Sequence, residues 1–369
     1  MEALLFTIYL KYVVIRIILL VRAGHRGLVG SAIWKNLQEK GYTNLLGRTS
    51  KELDLKNAEA TSAFFNEEKP DYVILSAARV GGIVANNVYR ADFIHENLSI
   101  QQNVIDNCYR HNVKKLLFLG STCIYPKDAP QPIKEDSLLT GPLEITNEPY
   151  AIAKIAGIKS TESFNLQYGT KYISAMPTNL YGPNDNFNLE KSHVLPALIR
   201  KFLLANWLLQ ENWDSIKNDL DKRPIEGVNG TSAQQEIVDI LAKYGVKAQS
   251  VEIWGTGQPL REFLWSEDMA DACIFLMENV DFSDLRKDES EKRNFHINIG
   301  TGSEISIRGL AELIKEKTGY SGAIIFNSEK PDGTMRKLTD VNKIHQLGWK
   351  HTVAIHEGVS QIIEWYKES

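Results

Sequence analysis

A chain of 369 residues with 43% hydrophobic and 24% charged residues has the make-up of an ordinary globular protein of one large or two medium domains, which excludes a disordered chain and a multi-span membrane protein. A formal net charge of -4 supplies no basic field for a nucleic-acid backbone, yet a local positive site could still take a small anion. Cys108, Cys123 and Cys273 show neither paired spacing nor a histidine cluster, so they suit no disulfide scaffold and no metal site, and they fit a cytoplasmic, reducing setting.

Residues 3–21 are nearly all apolar, but Lys11 and Arg16 interrupt them. Each charge near a bilayer centre costs roughly 2.5 to 3.5 kcal/mol, which makes this stretch a poor membrane segment. Signal cleavage after Ala23 would remove the strand that the next motif needs. Residues 15–21 therefore read as a buried β-strand, preceded by an extension over residues 1–14.

From there, short β-branched runs at residues 44–46, 72–77, 115–119 and 172–175 alternate with helical patterns at 31–40, 58–68, 94–110 and 150–168. This alternation predicts an α/β fold with a doubly wound parallel sheet of the Rossmann type over residues 15–183. Beyond that the alternation breaks down, and residues 184–369 read mainly as a smaller substrate-binding domain, with some segments free to return to the first. Within it, residues 203–250 look like a helical insert: Ile237, Ile240 and Leu241 share a helical face before Gly245, and residues 203–209 offer a second apolar face with which they could form a hairpin.

The glycine-rich run Gly24-His25-Arg26-Gly27-Leu28-Val29-Gly30 follows the first strand and opens a helix. Glycines there permit a tight turn and close approach of the backbone to a pyrophosphate, while the helix N-terminus supplies N–H donors. A dinucleotide site follows from that context. Where an acidic residue would favour NAD(H), the second strand ends in Gly47-Arg48, and Arg48 with Arg26 suits the 2′-phosphate of NADP(H).

Tyr150 and Lys154 stand at i and i+4, neighbours on one helical face. An adjacent ammonium stabilises phenolate, so the expectation is a Tyr150 pKa drawn down toward neutrality for proton exchange with a carbonyl oxygen. Ser121, just after residues 115–119, can hydrogen-bond the same oxygen.

These residues together resemble the extended short-chain dehydrogenase/reductase family of nucleotide-sugar epimerases, dehydratases and reductases. Further segments resemble its GDP-4-keto-6-deoxy-mannose 3,5-epimerase-4-reductase branch: Ala78-Arg79-Val80-Gly81-Gly82, Ser121-Thr122-Cys123-Ile124-Tyr125-Pro126, Asn147-Glu148-Pro149-Tyr150, Pro177-Thr178-Asn179-Leu180-Tyr181-Gly182-Pro183 and Lys330-Pro331-Asp332-Gly333-Thr334. The resemblance implies 3,5-epimerisation of a GDP-4-keto sugar and then NADPH-dependent reduction at C4 to give GDP-L-fucose. By that resemblance, Cys123 and His193 serve as base and acid beside Ser121, Tyr150 and Lys154. It also implies cofactor contacts at Leu119, Gly120, Ser121, Thr122, Lys154, Pro177, Thr178, Asn179, Leu180 and His193, and sugar-nucleotide contacts at Lys201, Trp254, Arg261 and Asp332. For Asp332, a structural role in its Pro-Asp-Gly turn is an equal alternative. No metal is implied, and a homodimer is. Thr122 stands where a second serine is common, and the insert is unlike simpler members. A 4-epimerase or 4,6-dehydratase would need Tyr150 and Lys154 but not both Cys123 and His193, and a silent NADP(H)-binding regulator would need neither Tyr150 nor Lys154.

Overall fold

A computed structural model describes residues 17–20, 27–286, 288, 290–330 and 332–369. Its strands run in chain order β1 (Ile17–Leu20), β2 (Leu45–Arg48), β3 (Tyr72–Leu75), β4 (Lys115–Leu119), β5 (Tyr172–Pro177), β6 (Asn179–Tyr181), β7 (Val246–Lys247), β8 (Ser250–Trp254), β9 (Leu260–Arg261), β10 (Phe263–Trp265), β11 (Ile297–Ile299), β12 (Ile305–Ser306) and β13 (Ala323–Asn327). The chain divides into two compact units. One holds Met1–Asn184, Phe263–Gly302 and Thr339–Thr352, and the other holds Asp185–Glu262, Ser303–Leu338 and Val353–Ser369.

The first unit is built on a parallel sheet in the order β11-β5-β4-β3-β1-β2. Successive side chains of a strand point to opposite faces, and both faces here are apolar. Ile74, Leu117, Leu119, Ile173 and Ala175 join one core with Ile33 and Leu37 of the helix Leu28–Glu39 and with Ala270 and Ile274 of Ser266–Asn279. Val73, Leu75, Leu116 and Phe118 join the other, with Val104 of Arg90–Arg110 and Ile158 of Glu148–Tyr168. Strand order reverses between β1 and β3, and ligands of such sheets bind at the carboxyl ends beside that point. The expected strand over residues 15–21 is seen as β1, while residues 1–14 lie outside the described residues.

The second unit carries a three-stranded sheet, β13-β8-β7, and the helices Val194–Leu209, Trp213–Lys222, Gln234–Lys243, Ile307–Thr318 and Ile355–Glu368. The insert is helical, but the pairing differs from the expected hairpin: the helix returning on Val194–Leu209 is Trp213–Lys222, and Gln234–Lys243 packs on β7. Chain length decides this. Only residues 210–212 separate the first two helices, and Asn212 caps the second by accepting from Ser215 N at 3.1 Å.

The insert is also part of this unit's core. Arg200 is fully buried, and its guanidinium donates to Asp219 Oδ2 through Nε (3.0 Å) and Nη2 (2.8 Å). The Tyr366 hydroxyl donates to the other oxygen of Asp219. Removing one member of a buried pair leaves an uncompensated charge, so Asp219→Ala is expected to destabilise the protein by about 3 to 5 kcal/mol in chemical denaturation. A loss below about 1 kcal/mol would show that this pair does not hold the insert.

Candidate active site

The helix Glu148–Tyr168 starts with a proline in its first turn, where a missing N–H costs nothing, and ends at Gly169 in the left-handed region (φ 67). It lies close against β4 because Gly157 has no side chain: a Cβ there would stand 2.4 Å from Phe118 Cζ. Gln101 fastens it from the neighbouring helix, donating to Ala153 O at 2.6 Å.

That docking places Lys154 under the carboxyl end of β4. Lys154 is 2% exposed, its ammonium donates to Leu119 O at 2.7 Å, and it stands 4.8 Å from the Phe118 ring centroid and 5.8 Å from that of Tyr150. Burial lowers its pKa to about 8, opposed by the charge of Cys123.

Tyr150 is half-buried, with Phe93 edge-on at 6.4 Å. Its pKa is raised, first by burial and then by the charge of Cys123. This corrects the expected downward shift. Lys154 donates to Leu119 O and stands 5.8 Å from the Tyr150 ring centroid, and the desolvation of the phenolate dominates.

Ser121 follows β4 and caps the 3-10 turn Thr122–Ile124, with its Oγ accepting from Cys123 N at 3.4 Å. Cys123 sits in that turn, 7% exposed, and is coupled electrostatically to both Tyr150 and Lys154. Ser121, Cys123, Tyr150 and Lys154 are thus brought together within one unit, at the carboxyl end of the sheet.

Of the expected cofactor residues, Gly24, His25 and Arg26 lie outside the described residues. Gly27 is the N-cap of Leu28–Glu39, which has no side-chain cap and no acidic residue in its first turn. Leu28, Val29 and Gly30 therefore open a helix whose N-terminal donors meet no competing side-chain cap, which fits a pyrophosphate. Gly120 lies flat against Met176, since a Cβ there would meet its sulfur at 2.3 Å. Leu119, Gly120 and Thr122 belong to the end of β4 and its turn, while Pro177, Thr178, Asn179 and Leu180 run from β5 into β6. Arg48 ends β2, and its Nη2 donates to Glu68 Oε1 at 3.0 Å. Glu68 is a participant that the sequence did not announce, because nothing in its spacing marks it as facing Arg48.

The second unit holds the other expected residues. His193 is the N-cap of Val194–Leu209 without a side-chain cap bond; although its ring is exposed, the surrounding protein displaces enough water to push its pKa below the usual imidazole value. Lys201 donates to Glu252 O at 3.0 Å, and burial lowers its pKa to about 8. Trp254 is 64% exposed, with Lys330 Nζ 5.4 Å from its ring centroid. Arg261 donates to Thr334 O at 2.6 Å. Asp332 accepts from Thr256 N (2.9 Å) and from the Thr256 hydroxyl (2.8 Å), holding a turn at Gly255 (φ +83). Asp332 thus braces the turn at Gly255 and Thr256, a structural role distinct from the one in its own Pro-Asp-Gly turn.

Residues 20–218 and 225–300 match the NAD dependent epimerase/dehydratase family. The chain is 52% identical over 344 residues to GDP-L-fucose synthase 1 of Arabidopsis thaliana, covering 93% of this chain and 91% of that one. The chain belongs to the GDP-L-fucose synthase branch of that family. Among solved structures, it is similar to a GDP-6-OMe-4-keto-L-xylo-heptose reductase from Campylobacter jejuni, with TM-score 0.89 and 46% identity over 96% of this chain and 99% of that one. It is also similar to a GDP-D-glycero-L-gluco-heptose synthase from Campylobacter jejuni in the presence of NADPH, with TM-score 0.84 and 45% identity over 97% of this chain and 99% of that one.

Glu68 holds the Arg48 guanidinium, and if Arg48 meets a 2′-phosphate as expected from the sequence, the two acceptors compete for it. Partly exposed ion pairs are worth about 0.2 to 1 kcal/mol, so Glu68→Gln is expected to tighten NADPH by up to about fivefold and leave NADH unchanged. Equal effects on both cofactors in a binding titration would show that Arg48 does not face that phosphate.

Proposed function

We propose that the chain carries out both halves of the GDP-L-fucose synthase reaction, inverting C3 and C5 of GDP-4-keto-6-deoxy-D-mannose and then reducing C4. The observation that carries this reading is the coupling of Cys123 to Tyr150 and Lys154 beside Ser121. A simple 4-epimerase or dehydratase has no use for a thiol there. Epimerisation needs a proton removed alpha to the ketone on one face of the ring and returned on the other. Cys123 takes it as thiolate, and His193 supplies one.

For the second half, NADP(H) when bound supplies hydride to C4. Tyr150 then donates its hydroxyl proton to the C4 oxygen, which the Ser121 hydroxyl also holds by a hydrogen bond. A phenol with a raised pKa is protonated at neutral pH, the state that a donor in the reductive direction needs. Lys154 holds the end of β4 and stands beside Tyr150, where it would be one of the residues that hold the cofactor.

NADPH is the preferred cofactor, supported by Arg48 and by the NADPH named for the heptose synthase relative. Lys201, Trp254 and Arg261 take the GDP moiety, the cations meeting the diphosphate and the indole offering an aromatic face. Two copies pair through the helices Arg90–Arg110 and Glu148–Tyr168, where Tyr109, Ile152, Leu166 and Tyr168 are exposed. Among the described residues no helix is long and apolar enough to cross a membrane, and a cytoplasmic setting suits the three free cysteines. A reduction-only reading on a seven-carbon GDP-keto sugar is favoured by the similarity to the Campylobacter jejuni heptose reductase.

Supplying GDP-4-keto-6-deoxy-mannose and NADPH in D2O, with NMR of the sugar and absorbance of NADPH, separates these readings. Tyr150→Phe is expected to suppress NADPH oxidation while deuterium still enters at C3 or C5. Cys123→Ser is expected to slow that exchange by a factor on the order of 10² to 10⁴. Exchange at the parental rate in Cys123→Ser would refute the assigned mechanism, and no exchange in the parent would favour the reduction-only reading.

A further inference from the structure

Two residues beyond Cys123, the catalytic turn runs into a dry polar network. Tyr125, His296 and Asn298 are 3%, 1% and 0% exposed. The Tyr125 hydroxyl donates to Asn298 Oδ1 at 2.5 Å and lies 3.0 Å from His296 Nε2. With its own proton committed to Asn298, the hydroxyl accepts from His296, which assigns the Nε2–H tautomer. The Asn298 amide donates onward to Ile133 O (3.0 Å) and Asp340 O (3.2 Å), and its backbone N–H to Glu135 Oε1 (3.0 Å). Asn298 belongs to β11, which pairs with β5, so this chain of bonds ends on the sheet itself.

We propose that Tyr125, His296 and Asn298 are positioning residues that fix the turn carrying Cys123, and that they govern epimerisation more than reduction. The turn Thr122–Ile124 has two moorings. On its N-terminal side Leu119 O is gripped by Lys154, and Ser121 follows directly from β4. On its C-terminal side, Tyr125 is the mooring, and the Cys123 sulfur depends on where that end of the turn is held. Tyr150 and Lys154 stand on a separate helix, which packs on the turn but has its own docking through Gly157 and Gln101 and makes no hydrogen bond to Tyr125 through either residue.

The network is built to stay in one state. Burial, reinforced by Lys343 and Lys159, holds the His296 pKa well below the usual imidazole value and keeps the ring neutral. The nearby carboxylates have partners: Glu162 accepts from Lys159 (2.7 Å) and from Phe295 N (3.0 Å), and Glu135 is tied to the network itself, accepting from Asn298 N. His296 Nδ1 is buried without a partner, an arrangement that a lone pair tolerates more readily than an N–H would and that agrees with the assigned tautomer.

This inference rests on the proposed role of Cys123, and the experiment tells the two apart. In the full-length enzyme, C3/C5 deuterium exchange is compared with hydride transfer to the already epimerised ketone, alongside NADPH affinity and thermal midpoint. Tyr125→Phe is expected to slow exchange on the order of 10- to 100-fold, the cost of a misplaced reacting group, while hydride transfer and NADPH affinity stay within about threefold. His296→Gln retains an N–H that can donate to the Tyr125 oxygen, so it should keep most exchange, whereas His296→Leu should match Tyr125→Phe. If Tyr125→Phe does not fold, the two His296 variants carry the same comparison. Equal loss of both half-reactions, or no loss of exchange, overturns the positioning role. If Cys123→Ser stops exchange and the Tyr125 and His296 variants do not, the positioning inference alone fails; if Cys123→Ser exchanges freely, the reading of Cys123 fails with it.

Discussion

The chemistry of this chain hangs on one buried ammonium. Taking a lysine charge out of water costs several kcal/mol unless it is met by hydrogen bonds and favourable electrostatics. Lys154 meets Leu119 O and the rings of Phe118 and Tyr150. The depressed pKa of about 8 shows that this compensation is incomplete. Because Leu119 is the last residue of β4, the bond that compensates the charge also joins the helix bearing Tyr150 to the strand end bearing Ser121. The helix could not come so near with any other residue at position 157, where a Cβ would collide with Phe118.

What the sequence made legible follows from periodicity and local spacing. Strands buried on both faces read as apolar β-branched runs, and Val73, Leu75, Leu116 and Phe118 occupy one core while Ile74, Leu117 and Leu119 occupy the other. Tyr150 and Lys154 were visible because one helical turn is a fixed distance. Long-range pairings leave no such mark. Glu68 facing Arg48, Asp219 facing Arg200, and Asn298 facing Tyr125 are separated by stretches of chain that carry no periodic signal.

The Tyr150 shift shows a different limit. Adjacency to lysine argues for an acidified phenol, and the site reverses the sign, since burial of the phenol and the charge of Cys123 both disfavour the phenolate. The insert illustrates a third. Apolar faces at residues 203–209 and 237–241 are each real, but a short connection gives the first of them a nearer helical neighbour, Trp213–Lys222. Amphipathic pattern identifies which face is buried and is silent on what buries it.

The coupling around Cys123 bears on the order of events in the proposed reaction. A negative charge on Cys123 raises the pKa of both Tyr150 and Lys154. While the thiolate is available as a base, Lys154 is therefore held more firmly as ammonium, and Tyr150 parts less readily with its proton. When Cys123 has taken a proton from the sugar, that charge is gone, and the phenol becomes the better donor it must be for the C4 oxygen. Within the proposed mechanism, Coulomb's law thus links the two half-reactions: a thiolate at Cys123 disfavours proton donation at Tyr150, and its protonation removes that effect.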